Sequence, residues 1–386
     1  MSGRFVLPTE VLYGDGAVGQ IGFEADSDGC THAMIVTDPG VRRAGLIDVV
    51  DDSLRAAGVA TTIYDRVSPN PRSSECSDGA EVMTQIGADL AVAVGGGSAI
   101  DAAKAMSFLC ANGGRVEDYI ASLGGRQAAD PMVPLYAVPT TCGTGAEVSP
   151  TAIITNAASG QKVTLLPCAP KKAFVDPLLV LSMPRSLTAS TGMDALSHAV
   201  EAYVSPLAGP YTDIFAVQAI RMIGANLRDA VETVGESRHD SLAAMMYAAN
   251  LAGWSLKAGT NQIHSMAHAL GGVLDVPHGN AVSIMLPAVL RYHVVLLADR
   301  LAEVATLLGQ DSFDLGEYEA AESAINAISR LRQDVGLPGS LTELGVEEPH
   351  LARLADIVML PDEAQRRSRP RPCSRDDVLA MYRLAL

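Results

Sequence analysis

Short apolar runs alternate with longer periodic segments along the first half of the chain. Runs rich in Val, Ile, Ala and Met have the length of buried strands; they lie at residues 33–37, 59–64, 90–94 and 134–138. Residues 151–155 and 173–176 are expected to add two strands, and residues 4–13 are expected to be extended. The segments between them repeat apolar residues at helical spacing; one such face comprises Leu46, Val49, Val50 and Leu54. Because strands alternate with helices, the pattern predicts a parallel, Rossmann-like sheet with helices on both faces.

The pattern changes near residues 182–185, where strand-like runs end. Beyond this point, segments rich in Ala, Leu and Met repeat at helical spacing. They predict helices at about 188–204, 211–230, 238–257, 260–271, 279–294, 296–308, 314–335, 348–358 and 375–385. We therefore expect an α/β domain over residues 1–183 and an all-α domain over residues 184–386.

Composition and charge narrow the functional class. The 386 residues carry 44 acidic and 28 basic side chains, a net charge of −16, which argues against general affinity for nucleic acid or an anionic membrane. The basic stretch at 366–372 lacks interleaved aromatic residues and is interpreted as a solvated loop. Six scattered cysteines, with no recognisable signal peptide and no apolar run of about 18 residues, favour a cytoplasmic protein with reduced thiols.

Three glycines directly follow the predicted strand at 90–94. Gly95, Gly96 and Gly97 would let the backbone approach a phosphate, with Ser98 adding a hydroxyl at the start of the next helix. A plain strand-to-helix turn is the alternative, because the spacing is not the GxGxxG fingerprint. The hydroxyls and glycines that follow residue 139 would suit a second cofactor loop.

Asp38 follows the predicted strand at 33–37. An acid at this point can accept hydrogen bonds from a ribose diol and disfavour a 2′-phosphate, which favours NAD over NADP. Two features leave alternatives open. Asp38 could simply cap a helix, and the neighbouring Arg42 and Arg43 could still bind a phosphate.

Five of the eight histidines lie between residues 191 and 280, and four of these five have spacings or neighbours that suit a shared site. Asp194 and His198 are four residues apart, as are His264 and His268, so each pair would lie on one helix face. His278, between a proline and a glycine, is expected in a loop. A lone histidine is usually an ordinary core or surface residue, but this many ionisable groups are costly to bury unless something pairs them. The chemistry suits Fe(II), Zn(II) or a similar ion, and the spacing predicts a divalent-metal site.

Five motifs, spread over most of the chain, carry a family resemblance. They are GGGSAIDAAK (95–104), PTTCGTGAEVS (139–149), DALSH (194–198), HSMAHALGG (264–272) and PHGN (277–280). In this order they resemble the iron-containing (group III) alcohol dehydrogenases. The resemblance implies a dehydroquinate synthase-like fold, in which an α/β dinucleotide-binding domain precedes an all-α metal- and substrate-binding domain.

The resemblance also assigns roles to individual residues. The implied metal ligands are Asp194, His198, His264 and His278, which would hold Fe(II), or alternatively Zn(II) or another divalent ion. His268 is expected to relay a proton near the nicotinamide, with a spare helix histidine as the alternative. The implied cofactor contacts are Asp38, Gly95, Gly96, Gly97, Ser98, Asp101, Thr140, Thr141, Ser149 and Lys162.

The implied function is an NAD-dependent oxidoreductase that interconverts a small primary alcohol and its aldehyde, or a ketone, with metal assistance; NADP is the less favoured cofactor. A homodimer is the family's usual assembly. Lys257 and the polar run 260–262 precede His264, where relatives more often carry Asn, Leu and Gly. We hypothesise that Lys257 pairs with an anionic or polar substrate tail and that Trp254 narrows the pocket.

Three other functions stay open. One is a non-redox enzyme of the dehydroquinate synthase type, which also uses NAD and a metal. Another is an acid reductase resembling 4-hydroxybutyrate dehydrogenase or maleylacetate reductase. The last is a catalytically silent metal- or nucleotide-binding protein. Net turnover of NADH would separate the redox enzymes from the others.

Overall fold

The computed structural model describes residues 5–120, 124–235, 239–360 and 366–386. The chain divides into two units, Met1–Thr141 with Gly145–Met183 and Cys142–Thr144 with Pro184–Leu386. The second unit thus includes three residues from far upstream in the sequence, so the two units are not two continuous stretches of the chain. Arg238, where a predicted helix begins, lies outside the described residues.

A parallel sheet forms the centre of the first unit. Its strands are β1 (Glu10–Tyr13), β2 (His32–Val36), β3 (Ala60–Tyr64), β4 (Leu90–Gly95), β5 (Leu135–Pro139) and β8 (Lys172–Val175), with β6 (Ala152–Thr155) and β7 (Lys162–Leu165) forming a separate antiparallel pair. The order across the six-stranded sheet is β1-β8-β5-β4-β2-β3, and every neighbouring pair is parallel. The predicted fold class is confirmed, although β7 was not predicted.

Helices cover this sheet on both faces, because its central strands are apolar on both sides. They are α1 (Ile21–Ser27), α2 (Pro39–Arg43), α3 (Asp48–Ala56), α4 (Ser73–Gln85) and α5 (Gly97–Asn112). Leu90, Val92 and Val94 of β4 share one core with Val50 and Leu54 of α3. Ala91 and Ala93 share the other core with residues of α4 and α5.

One detail of the predicted helical face is wrong. Val49 was expected to be buried, but its side chain is 40% exposed. The buried face of α3 is centred on Val50 and Leu54, four residues apart, and Val49 lies about 100° around the helix from Val50.

The second unit is helical throughout its described elements. They are α6 (Arg185–Val204), α7 (Pro210–Glu232), α8 (Asp240–Ser255), α9 (Gln262–Leu274), α10 (His278–His293), α11 (Ala298–Leu307), α12 (Glu317–Asp334), α13 (Glu348–Val358) and α14 (Arg375–Ala385). Among the described helices, none combines the length and apolar character that a membrane crossing requires.

Helix α6 is the central element of this unit. It packs against α7, α8 and α10, and every residue from Gly192 to Val204 is buried. Burial of every residue over more than three turns is the pattern of a helix enclosed by others. Three ionisable side chains, Asp194, His198 and Glu201, are nevertheless carried on this buried helix. Their burial requires polar partners inside the unit.

Candidate functional site

Three imidazole nitrogens converge on one carboxylate oxygen inside the second unit. Asp194 and His198 lie on successive turns of α6, and His264 lies in the first turn of α9. Asp194 Oδ1 is 3.4 Å from His264 Nε2 and 3.9 Å from His198 Nε2. Ligand atoms from these three buried residues lie within 4.8 Å of one another, which is the spacing a single metal ion needs.

His278 supplies the third imidazole. It is the first residue of α10, so the expectation of a loop position is wrong; Pro277 precedes the helix rather than interrupting it. Its Nε2 lies 3.5 Å from the same Oδ1 of Asp194, and its side chain is 39% exposed. The structure therefore brings together all four residues predicted as metal ligands, one of them at an accessible position.

His268 lies beside this cluster. It is one turn after His264 on α9, with ring centroids 6.1 Å apart. Its ring stacks on that of His278 with a centroid separation of 5.2 Å. Since His268 is only partly buried, it extends the imidazole cluster from the interior toward a more accessible position.

Two polar atoms of the cluster show that the residues fit a metal ion. Asp194 Oδ1 and His264 Nε2 are buried and have no hydrogen-bond partner among the described residues. Their 3.4 Å separation does not have the geometry of a hydrogen bond. Buried polar groups are nearly always hydrogen-bonded or bound to an ion. A divalent cation coordinated by both atoms would satisfy them.

The charges of the cluster also call for a cation. Burial raises the pKa of a carboxyl group, but the surrounding imidazoles outweigh it and hold the pKa of Asp194 well below its usual range. Burial lowers the pKa of His198. Burial also opposes protonation of His264, yet the Glu201 and Asp194 carboxylates raise its pKa to about 10. Two buried carboxylates thus require a positive partner, which a divalent ion would supply.

Two groups that orient the proposed ligands were not predicted from the sequence. Glu201, fully buried on α6, accepts a hydrogen bond from His264 Nδ1. The carbonyl oxygen of Gly143 lies 3.4 Å from His198 Nδ1, which can donate to it. Glu201 follows Asp194 by seven residues and His198 by three, so helical spacing could have placed it on the ligand face. No local signal marks Gly143, because its contact depends on the folded chain.

Two glycines let other segments lie directly against α6. A Cβ on Gly279 would be 2.6 Å from the carbonyl oxygen of Ser190, and one on Gly143 would be 2.8 Å from that of Thr191. Real side chains do not tolerate such contacts with backbone atoms. The missing side chains therefore allow α10, which carries His278, and the segment at Gly143 to approach α6 just before Asp194.

The predicted cofactor residues lie in the first unit, and Asp38, Gly95, Gly96, Thr140 and Thr141 lie at or just after the carboxyl ends of adjacent strands. Strand β4 pairs with both β2 and β5, so the loops after these three strands share one edge of the sheet. Thr140 N–H donates to the Gly95 carbonyl over 3.0 Å. The Thr141 side chain lies 3.2 Å from where a Cβ on Gly96 would be. Parallel sheets bind dinucleotides at this edge.

Asp38 has two roles available in this arrangement. Its Oδ1 accepts hydrogen bonds from the backbone N–H groups of Gly40 and Val41, so it caps α2. Its Oδ2 lies 3.6 Å from the position that a Cβ on Gly95 would take. One oxygen therefore stabilises the helix while the other faces the glycine loop.

Four other predicted cofactor residues lie near or beyond that loop. Ser98 is in the first turn of α5. Asp101 holds α5 to β6, since it accepts from Ile153 N–H at 3.0 Å, and Lys104 Nζ lies 3.2 Å away. The hydroxyl oxygens of Ser149 and Thr151 are 2.8 Å apart. Lys162 donates to Asn70 Oδ1, and burial lowers its pKa. Asp101 thus has a structural contact whatever its part in cofactor binding.

The predicted substrate residues do not lie on the helix that carries His264. Helix α9 begins at Gln262, capped by the Asn261 side chain, whereas Lys257 lies in a 3₁₀ turn, Leu256–Ala258. Two separate helices were expected here, at about 238–257 and 260–271; the first ends two residues earlier than predicted, at Ser255, and the second begins two residues later, at Gln262. Trp254 is buried near the end of α8, with its ring 6.5 Å from that of Phe215.

Comparison with known families matches nearly the whole chain. Residues 8–177 match the family described as iron-containing alcohol dehydrogenase. Residues 188–386 match the C-terminal region of the Fe-containing alcohol dehydrogenase family. The two matches cover the two units in the expected order.

Individual proteins show the same similarity. The chain is 37% identical over 386 residues to 1,3-propanediol dehydrogenase of Klebsiella pneumoniae, covering 99% of this chain and 98% of that protein. It is 36% identical to the NAD-dependent methanol dehydrogenase of Bacillus methanolicus, covering 99% and 100%.

Solved structures agree with these relatives. A crystal structure of 1,3-propanediol oxidoreductase superposes with a TM-score of 0.95 at 37% identity, covering 100% of both chains. Sulfoacetaldehyde reductase from Bifidobacterium kashiwanohense, solved with NAD⁺, gives a TM-score of 0.88 at 28% identity, covering 100% of this chain and 99% of that one. The predicted family resemblance is confirmed.

We predict that Gly279→Ala weakens metal binding. The added methyl group must move the start of α10 away from the Ser190 carbonyl, which displaces His278. We expect the dissociation constant for Zn(II), measured by competition with a chromophoric chelator, to rise roughly tenfold or more.

Gly209→Ala is the matched control, because a Cβ at Gly209 meets no atom within 4 Å. It should bind the metal like the wild type. A folded Gly279→Ala protein with wild-type affinity would contradict the assigned role of this close approach.

Proposed function

The chain belongs to the iron-containing alcohol dehydrogenase family, and from this premise we propose a metal-dependent enzyme that interconverts a small primary alcohol and its aldehyde. It is an oxidoreductase of the alcohol dehydrogenase and aldehyde reductase class. The observation that best supports a metal-dependent reaction is the convergence of three imidazole Nε2 atoms on Asp194 Oδ1.

We propose that Asp194, His198, His264 and His278 hold the metal ion. The family favours Fe(II), and Zn(II) suits the same donors. The ion would supply a Lewis acid for the substrate oxygen, and NAD(H) would supply or take up the hydride. Three of the four ligands are buried, whereas His278 is partly exposed. The exposed side of His278 is therefore the side from which we expect a small substrate to approach.

His268 is the proposed proton carrier. It stacks on His278 and lies one turn from His264, so it is next to two ligands without being required as one. An imidazole at this position can take a proton from an alcohol or return it to a nascent alkoxide. The partial burial of His268 favours exchange of that proton with solvent.

The proposed cofactor is NAD, bound at the shared edge of β2, β4 and β5. Gly95, Gly96 and Gly97 carry no side chains, so their backbone N–H groups could approach a pyrophosphate next to Thr140 and Thr141, and Ser98 lies in the first turn of the following helix. Asp101, Ser149 and Lys162 complete the proposed contact set. The Oδ2 atom of Asp38, which the α2 cap does not use, is the proposed ribose acceptor.

We retain the hypothesis of a substrate with an anionic or polar tail. Lys257 is half-buried, burial lowers its pKa, and it has no ion-pair partner among the described residues. Partial burial of an ammonium group without a counter-ion is unfavourable, and a carboxylate or sulfonate would supply that partner. One structural neighbour, the sulfoacetaldehyde reductase, is named for an anionic aldehyde. Trp254 is proposed to limit the size of the pocket.

We also propose a cytoplasmic homodimer. All six cysteines are free thiols, which suits a reducing compartment. The dimer rests on the family's usual assembly, and light scattering would test it.

Metal removal should abolish turnover. With propanal or lactaldehyde as substrate, we expect protein stripped by a chelator to oxidise no NADH, and added Fe(II) or Zn(II) to restore activity. His264→Ala should remain inactive after metal addition. Full activity in the stripped protein would contradict a metal-dependent reaction. Tight NAD binding with no turnover under any metal would favour the non-redox or silent alternatives.

Asp38→Asn should reduce the preference for NADH. The amide keeps an oxygen that can cap α2 but removes the charge that repels a 2′-phosphate. We expect the ratio of kcat/KM with NADH to kcat/KM with NADPH to fall about tenfold. This change corresponds to the free energy of one hydrogen bond to a charged group. An unchanged ratio would show that Asp38 is only a helix cap.

Lys257→Ala should act selectively on anionic substrates. We expect kcat/KM for sulfoacetaldehyde or succinic semialdehyde to fall about ten- to hundredfold, as for loss of one charge-assisted hydrogen bond. The value for propanal should stay unchanged. Lys171→Ala, which removes an exposed lysine of the first unit, is the charge-matched control. Full activity of the Lys257→Ala enzyme toward both anionic aldehydes would refute the anionic-tail hypothesis.

A further inference from the structure

Glu201 is the most extensively hydrogen-bonded carboxylate around the proposed metal ligands. Its Oε1 lies 2.9 Å from Asn261 N, 3.2 Å from Ile263 N and 3.4 Å from His264 N. Its Oε2 accepts from His264 Nδ1 and from the Ser197 hydroxyl at 3.4 Å. The side chain is fully buried. A carboxylate in such a position is stable only because each of its oxygens has donors.

These contacts act on α9 as well as on the imidazole. The first N–H groups of a helix have no partners within the helix, and α9 begins at Gln262. Glu201, which belongs to α6, accepts from these N–H groups and places a negative charge at the positive end of α9. The position of the His264 backbone relative to α6 is therefore determined by the same carboxylate that binds its ring.

The contact with the ring determines which nitrogen is available to a metal. A neutral imidazole carries one proton, and only the other nitrogen can coordinate an ion. A carboxylate accepts and cannot donate, so Glu201 keeps the proton on Nδ1. When the ring is neutral, as a metal ligand must be, the lone pair is on Nε2, which faces Asp194 Oδ1 at 3.4 Å. Among the described residues, His198 Nδ1 has a backbone carbonyl, that of Gly143, in the equivalent position.

We propose that Glu201 is a positioning residue of the metal centre. It selects the His264 tautomer that can coordinate the ion and anchors the first turn of α9, from which His264 extends. Together with Asp194 it also provides two negative charges, which balance a divalent cation. The proposal rests on the metal site of the proposed function and adds a residue that does not touch the ion.

Glu201→Gln tests this role with little change in shape. The amide oxygen can still accept from the backbone N–H groups of α9, while its NH₂ group faces His264 Nδ1. Nδ1 must then accept, the proton moves to Nε2, and coordination is blocked. We expect the dissociation constants for Zn(II) and Co(II), measured by chelator competition, to rise about ten- to hundredfold. The metal-free variant should keep the circular dichroism of the wild type.

Glu303→Gln is the matched control. The Glu303 carboxylate accepts a hydrogen bond from Tyr203, which follows Glu201 by two residues on α6. The substitution removes the same charge as Glu201→Gln, but Glu303 has no hydrogen bond or ion pair with a proposed ligand among the described residues. It should leave metal affinity unchanged. Glu201→Asp is the second variant, because it keeps an acceptor on a shorter side chain. Its affinity should be lower than that of the wild type but higher than that of Glu201→Gln. If Glu201→Gln fails to fold, a folded Glu201→Asp protein with wild-type metal affinity would contradict the role of Glu201.

The absorption spectrum of bound Co(II) provides a readout independent of activity. At saturating Co(II), Glu201→Gln should show a changed d–d spectrum, since one imidazole is lost or turned, and Glu303→Gln should show the wild-type spectrum. Wild-type affinity and spectrum in Glu201→Gln would overturn the role of Glu201 while leaving the metal site intact. A wild-type protein that binds no stoichiometric metal would instead overturn the proposed function itself.

Discussion

A buried carboxylate with no access to water is the constraint on which the metal-binding unit depends. Glu201 is stable inside the protein only because the start of α9 and the His264 ring supply its donors. The requirement is mutual, since those backbone N–H groups have no acceptors within their own helix. Two helices distant in sequence are thus held together by polar atoms that neither could bury alone. Apolar packing around α6 excludes water and makes this pairing stronger.

The cluster around Asp194 follows from the same helix. Because α6 is buried on all sides, its polar residues can point only toward partners brought by other segments, and α9, α10 and the Gly143 segment supply them. At Gly143 and Gly279 the absence of a side chain lets the neighbouring segments lie directly against the backbone of α6. The resulting site combines a rigid interior, made of Asp194, His198 and His264, with one accessible imidazole at its margin.

Much of this arrangement could be predicted from the sequence, because much of it is local. The apolar runs predict the strands of the parallel sheet, and the four-residue spacing of Asp194 and His198 predicts a shared helix face. The role of Glu201 could not be predicted in the same way, since an acid on a helix is ordinary until the helix facing it is known. Helix ends were also less certain: His278 begins α10, and Lys257 precedes α9. The Asn261 side chain caps the start of α9, whereas α10 begins directly after Pro277 without a side-chain cap, and apolar periodicity marks neither boundary.

The grouping of Cys142–Thr144 with the helical unit has a consequence for biosynthesis. These residues leave the ribosome before any part of α6 has been made, so they cannot take up their final contacts until that helix appears. A fragment expressed from Pro184 onward would lack the Gly143 carbonyl beside His198. The helical unit is therefore not encoded by one continuous stretch of sequence, and recombination at a single crossover point between residues 144 and 184 would pair His198 with a Gly143 segment from another chain.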